Sequence, residues 1–398
     1  MKFTTQINDL QKCLQKTMPA ISTKPTFDLL ELFSFKLAGN ELTVVASDIE
    51  ITILSKLIVQ GEEDGGILVP AKTINDIVKG LAADKELIFE ASAEDYSITL
   101  TSGKYTFELQ GIDVDEFIEL PELFRKNAPK ESDKNAIFFK QEIIKKLADK
   151  TFFAVSKEDY RANMTGVLFQ FRESYVNSAS TDSYRLVRYT HFAEKDQIFP
   201  SELDLLIPEK AIEVFRKIDA DTIFSFEPPD NEKDKIKMLR IDFGNVIMVT
   251  KLIKETFPQY EKIIPVTTNC NATFDISMFL DAIKTLGAVV NSTTKQCKLE
   301  FTTDKLKIIA DDVDKNRKGS SEIQCEFEVT NEEAINKSEV FTIAFNIGYL
   351  NEMISNISSN ETTNNLINMH FMSNDKAAMI KPKSDIDQIL EILMPTRG

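Results

Sequence analysis

The sequence predicts an α+β fold made of three repeated domains, each with two helices packed on antiparallel sheets. Three observations predict it: a helical segment that returns at a constant interval, a strand that follows each copy, and a hairpin that closes each unit. From Phe3 the chain reads FTTQINDLQKCLQKTMPAIS, from Phe139 FKQEIIKKLADKTFFAVS, and from Phe274 FDISMFLDAIKTLGAVVN; the starts lie 136 and 135 residues apart. A fixed period of this kind marks an internal repeat. Each segment opens on a phenylalanine and a few polar residues, then carries apolar residues at three-and-four spacing. Ile276, Phe279, Leu280 and Ile283 form one such helix face.

The next element of each unit is a strand ending in small and acidic residues: LTVVASD at Leu42, YVNSASTD at Tyr175 and LKIIADD at Leu306. A second helix then follows, VPAKTINDIVKGL from Val69 and IPEKAIEVFRKI from Ile207. Both copies place a proline where a helix N-terminus tolerates it, and lysines two and nine residues later: Pro70, Lys72, Lys79 and Pro208, Lys210, Lys217. At about 100° per residue these lysines stack on one face, nearly opposite Ile74 and Ile77 or Ile212 and Phe215. The third copy, FNIGYLNEMISNI from Phe345, keeps the apolar face in Ile347, Leu350, Ile354 and Ile357 but has neither the proline nor the lysines. Hairpins turning near Gly103 and Gly244 close the first two units, and NMHFMSNDKAAMIKP has the same shape in the third. With connectors at Phe117–Pro121 and Phe257–Pro265, the predicted domains are 1–125, 126–262 and 263–398, each of two helices among roughly eight strands.

Composition narrows the function. A chain of 398 residues with 42% hydrophobic and 28% charged residues is expected to be a soluble multidomain protein. The N-terminus carries no apolar run and no stretch approaches a membrane span, so a cytoplasmic location without membrane attachment is expected. Cys13, Cys270, Cys297 and Cys325 lie far apart, which predicts free thiols rather than a zinc site. A formal charge of -16 argues against a protein that coats nucleic acid generally, so any DNA contact must be local. The chain has two histidines, His191 and His370, and neither a Walker loop, an HExxH nor a nucleophile elbow. An enzyme is therefore not expected, and no cofactor or metal is called for. Asp48, Asp182 and Asp311 end equivalent strands, and turn formation explains them better than a metal site does.

The three units, the opening MKFT, TDSYRLVRY from Thr181, FPQYEKIIP from Phe257 and LMPTR from Leu393 together resemble the bacterial DNA polymerase III beta subunit, the sliding clamp, over essentially the whole chain. The resemblance implies a DNA clamp fold that assembles as a head-to-tail homodimeric ring around double-stranded DNA. It further implies that the ring tethers the DNA polymerase III alpha subunit, the clamp loader, and other clamp-binding polymerases and repair proteins. Lys381 to Gln388 is an added polar segment relative to that pattern.

A ring of two such chains would face DNA, with about one charge per 1.7 Å, with twelve helices. The six helical segments of one chain sum to +2, a slightly positive lining in an acidic protein. The DNA-facing candidates are Lys12, Lys16, Lys24, Lys72, Lys79, Lys146, Lys150, Lys210 and Lys217; Ala162 and Asn163 stand where relatives often carry aromatics. The resemblance also implies a groove for short apolar partner peptides, formed by Met164, Thr181, Tyr184, Arg185, Leu186, Pro258, Lys262, Ile263, Asn346, Tyr349, Met394, Pro395 and Arg397. Methionine and leucine suit varied apolar side chains, and an arginine can take a carboxylate or carbonyl. Ser183 and Tyr184 replace the glycine and histidine frequent in relatives, and Gly398 an apolar terminal residue. The implied dimer interface pairs Lys104, Phe107 and Leu109 with Val289 and Val290. A repeat scaffold that binds only protein is the alternative among non-enzymes.

Overall fold

In the computed structural model, the first repeat comprises β1 (Lys2–Gln6), α1 (Ile7–Thr17), β2 (Leu32–Ala38), β3 (Glu41–Ser47), β4 (Ile51–Ile58), β5 (Gln60–Glu63), β6 (Gly65–Pro70), α2 (Ala71–Gly80), β7 (Glu86–Ala91), β8 (Ser97–Ser102) and β9 (Tyr105–Gln110). The second holds β10 (Ala136–Phe139), α3 (Gln141–Asp149), β11 (Gly166–Arg172), β12 (Tyr175–Thr181), β13 (Arg185–Phe192), β14 (Glu202–Pro208), α4 (Glu209–Phe215), β15 (Thr222–Phe226), β16 (Met238–Phe243) and β17 (Val246–Lys251). The third holds β18 (Cys270–Asp275), α5 (Ile276–Leu286), β19 (Gln296–Phe301), β20 (Lys305–Asp312), β21 (Arg317–Val329), β22 (Phe341–Asn346), α6 (Ile347–Ser358), β23 (Leu366–Phe371), β24 (Ala378–Pro382) and β25 (Ile389–Leu393). The structure describes all residues except 23–24, 131–132, 134, 195–196, 198, 228–234, 334, 336–339, 359–364, 384–387 and 397–398.

The repeat seen in the sequence is a repeat of topology. One four-strand group runs β4-β3-β2-β6, then β13-β12-β11-β14, then β21-β20-β19-β22; the other runs β1-β7-β8-β9, β10-β15-β16-β17 and β18-β23-β24-β25. The chain divides into two compact units, Met1–Lys145 with Ile207–Lys254, and Lys146–Leu206 with Glu255–Gly398. The first unit holds a five-stranded sheet, β5-β1-β7-β8-β9, and an eight-stranded one in which β17 pairs with β4. The second holds a twelve-stranded sheet in which β25 pairs with β13. Strands of the middle repeat thus enter both units.

Helix faces follow the apolar spacing. Helix α1 buries Ile7, Leu10, Cys13 and Leu14, and α5 buries Ile276, Phe279, Ala282, Ile283 and Leu286. In α2, Ile74 and Val78 are buried while Lys72 and Lys79 are exposed. The α4 segment is shorter than its pattern predicts: the helix stops at Phe215 and Lys217 falls in the following turn. Gly103 and Gly244, at φ 57° and 54°, supply the left-handed conformation that the two tight hairpins require. All four cysteines are buried and free. No helix among the described residues is long and apolar enough to cross a membrane.

Candidate functional site

The site grows from one turn in the second unit. Between β12 and β13, Asp182 Oδ1 accepts hydrogen bonds from the backbone N–H groups of Tyr184 and Arg185, both at 3.0 Å. Thr181 Oγ1 accepts from Ser183 N at 3.1 Å and donates to Arg185 O at 2.7 Å. Ser183 takes φ 77° at the apex. The same device closes the β3–β4 turn, where Asp48 Oδ1 accepts from Glu50 N and Ile51 N and Ile49 takes φ 78°. These two aspartates are turn formers, as the repeat predicts. The third turn differs, reversing through a short 3-10 helix with Asn316 at φ 51°.

The second-unit turn presents Arg185 sideways into a layered stack. Its guanidinium carbon lies 5.2 Å from the centroid of Phe153 and 4.5 Å from that of Tyr349. Tyr184 stacks on Tyr349, with centroids 6.2 Å apart. The order is therefore Phe153, Arg185, Tyr349, Tyr184. Asn346 Oδ1 caps the start of α6 through Gly348 N and Tyr349 N, which fixes the third layer. Arg185 is buried; Nε donates to Asp182 Oδ2 at 3.1 Å, Nη2 to Phe153 O at 2.8 Å, and Nη1 to Glu352. A desolvated cation between rings contributes on the order of 2 kcal/mol. In this structure Asp182 and Glu352 hold the Arg185 guanidinium. Burial raises the Tyr349 phenol above its ordinary pKa.

Around the stack the structure gathers several predicted residues. Met164 Sδ accepts from Ser183 Oγ at 3.3 Å, and Met394 N donates to Tyr184 O at 2.8 Å. Tyr184, Ile263 and Met394 expose apolar surface, at 52%, 53% and 45%. Pro258 and Lys262 lie on the same connector as Ile263, and Pro395 is half-buried. Two residues do not offer the surface expected of them. Leu186 is 1% exposed, in the core between β12 and β25, and Thr181 is consumed by the turn. Arg397 lies outside the described residues, as do Gly398 and 384–387 of the polar segment. Sequence reasoning missed Phe153 and Glu352. Glu352 stands three residues after Tyr349 on α6, a spacing that puts both on one face.

The lysines sort into groups. Lys12, Lys72, Lys79 and Lys217 are exposed, with no ion pair among the described residues. Lys16 pairs with Asp219 at 2.9 Å, and Lys210 pairs with Asp48. Lys146 leans over the Tyr189 ring, 5.9 Å from its centroid. The expectation that Lys150 faces DNA is corrected: it is 7% exposed and donates to Asn356 O at 2.6 Å, because it follows α3 and turns inward. Lys24 lies outside the described residues. Among the interface candidates, Lys104 is exposed, Phe107 and Leu109 are half-buried on edge strand β9, and Val289 and Val290 are half-buried after α5.

Comparison with known proteins places the chain. Family models of the DNA polymerase III beta subunit match in sequence order: the N-terminal domain over residues 1–121, the central domain over 139–259 and the C-terminal domain over 261–397. The beta sliding clamp of Staphylococcus aureus is 26% identical over 414 residues, covering 99% of this chain and 97% of that one. That of Pseudomonas aeruginosa is 22% identical, with both chains fully covered. A crystal structure of the P. aeruginosa clamp bound to griselimycin superposes at TM-score 0.84 with 21% identity and full coverage of both. The Thermotoga maritima beta subunit superposes at 0.84 with 19% identity, covering 100% of this chain and 99% of that one. With all three of its domains matched in order, the chain belongs to the DNA polymerase III beta-subunit family, the sliding clamps, which give polymerases processivity on DNA and are not enzymes.

Proposed function

We propose that two copies of this chain close head to tail into a ring around duplex DNA, in the cytoplasm, with domains dividing near residues 125 and 262. The observation that carries this reading is the way one repeat joins the next. At the first joint, Ser55, three residues past the closing pair Ser47 and Thr52, partners Val246, the first residue of β17. At the second, Tyr189, three past Thr181 and Leu186, partners Ile389, the first residue of β25. Two equivalent edges remain open among the described residues: β9, and β21 from Arg317 to Gln324. Applying the same rule across two copies pairs Tyr105 with Ser320, Phe107 with Lys318 and Glu108 with Arg317. Such a ladder satisfies an exposed edge, sets opposite charges directly across from each other, and, being heterologous, closes a ring of two when the rotation between copies is a half turn. Val289 supports the assignment, since its Cγ2 lies 3.0 Å from where a Cβ on Gly319 of β21 would stand. Beside the open β21 edge, α5 and β21 enclose a cleft of about 470 Å³ lined by Met278, Ala282, Leu286, Glu322 and Ile323.

Within that reading, Lys12, Lys72, Lys79 and Lys217 supply a thin cationic layer toward the phosphates. A thin layer holds DNA without the phosphate contacts that would resist sliding. The surface of Tyr184, Ile263 and Met394 receives apolar peptide segments of the polymerase alpha subunit, the clamp loader and repair partners, and is the proposed place on this chain for griselimycin, a ligand of the P. aeruginosa clamp. The test is native mass followed by DNA topology. The expected particle is about twice 45.1 kDa, and it stays on a nicked circle after loading and leaves when the circle is cut. A monomer at micromolar concentration, or retention on linear DNA, overturns the reading. Replacing Glu108 with Arg is expected to weaken the dimer, and adding Arg317→Glu to restore it.

A further inference from the structure

We infer that Gln170, Asn177 and Thr190 form a positioning ladder that sets the stance of the connector carrying Pro258, Lys262 and Ile263; the inference rests on the peptide-groove reading above. The three residues are Cα partners across adjacent strands: Gln170 of β11 faces Asn177 of β12, which faces Thr190 of β13. All are buried, at 9%, 6% and 5% exposure. Each hydrogen bond fixes the orientation of the next group. Thr190 Oγ1 donates to Asn177 Oδ1 at 2.7 Å, so Asn177 Nδ2 must point the other way, and it donates to Gln170 Oε1 at 3.1 Å. That in turn directs Gln170 Nε2 outward, where it donates to Glu261 Oε1 at 3.2 Å. Tyr260 Oη donates to the same Gln170 Oε1 at 3.0 Å. Two consecutive connector residues therefore terminate a chain of side-chain bonds that begins two strands away.

A buried polar row is an expensive way to cover a sheet, because each amide and hydroxyl must be bonded to offset its desolvation. An apolar row would bury the connector equally well, but it would not dictate where along the sheet Tyr260 sits. Hydrogen bonds have direction, and a fully connected set specifies one arrangement. The connector transmits that setting rigidly. Tyr260 N donates to Pro258 O at 2.7 Å and Lys262 N to Gln259 O at 3.1 Å, while Phe257 packs edge-on against Tyr260, 6.1 Å between centroids. Moving the Tyr260 hydroxyl therefore moves Pro258 and Lys262 with it.

The experiment uses the full chain and griselimycin as the probe, comparing wild type with Tyr260→Phe, Asn177→Leu, Thr190→Val and Thr190→Ser. Tyr260→Phe and Asn177→Leu are each expected to weaken binding about fivefold, the scale of one net hydrogen bond, and their combination no further, because they interrupt one chain. Thr190→Val, which keeps the side-chain shape, is expected to weaken binding, and Thr190→Ser to retain wild-type affinity. Hydrogen exchange at the Lys262 amide should quicken in Tyr260→Phe while the β13 amides and native mass stay unchanged. Wild-type affinity in both Tyr260→Phe and Thr190→Val overturns the ladder. Failure of the wild-type chain to bind griselimycin instead overturns the groove reading. If Asn177→Leu does not fold, the phenylalanine and valine variants still decide.

Discussion

The two internal joints share one ladder register and differ in what lies behind it. At the first, the third residue of the incoming strand is Met248, wholly buried among apolar neighbours, and the charged links stand at its edge: Lys16 with an exposed Asp219, and an exposed Lys210 with a largely buried Asp48. At the second, the same position holds Glu391, which is 0% exposed. Its Oε1 accepts from Asn356 Nδ2 at 2.9 Å, and Asn356 is tied in turn to Lys150 through Nδ2 to Lys150 O and through its own carbonyl to Lys150 Nζ. One joint is an apolar seam trimmed with solvated charge; the other is a buried polar clasp. Shared backbone geometry therefore does not imply shared energetics. A solvated pair is worth little, whereas a buried polar cluster costs much to assemble and more to break.

The comparison breaks most readily at Lys150. Lys150→Ala leaves the buried Asn356 carbonyl without its donor and is expected to cost about 1–3 kcal/mol in chemical denaturation; a loss under ~1 kcal/mol would make the second joint no different from the first. The next effect is on pH. Burial pushes the Glu391 carboxyl up to about 8 from 4.5, with Asn356 and the charges of Lys150 and Arg185 opposing the shift. A carboxyl whose pKa is higher folded than unfolded holds its proton more tightly when folded. Stability is therefore expected to fall as pH rises from about 4.5 to 8. Glu391→Gln should remove that slope, measured as midpoint against pH; an unchanged slope would acquit Glu391. The smallest effect is at the first joint, where Lys16→Ala should shift stability by less than ~1 kcal/mol, and less still in high salt.

Much of the fold was legible because local periodicity and turn chemistry agree with the tertiary arrangement. The helix faces of α1, α2 and α5, the glycine hairpins and the aspartate turns at Asp48 and Asp182 all rest on interactions within a few residues. The site was legible in part, for the complementary reason. The segment from Thr181 could be singled out, yet nothing local says that Arg185 would be held by Glu352, 167 positions away, or sandwiched by Phe153 and Tyr349. Lys150 reads as one more helix lysine until the strand pairing of β25 with β13 brings Glu391 and Asn356 behind it. The face of a helix can be read from spacing, but the partner across a ladder cannot. The same distinction explains why β21, which no local pattern marks as an open edge, was not singled out as the counterpart of β9.

The buried cysteines have a practical consequence. Burial raises the thiol of Cys13 to about 11 and those of Cys270, Cys297 and Cys325 to about 12. Near neutral pH almost none of the reactive thiolate forms, and none of the four sulfurs is exposed to reagent. The natural chain is in effect a cysteine-free background for labelling. One thiol introduced at an exposed position such as Asn316 would accept a maleimide dye selectively, so a fluorophore could report on ring opening without any native residue first being removed.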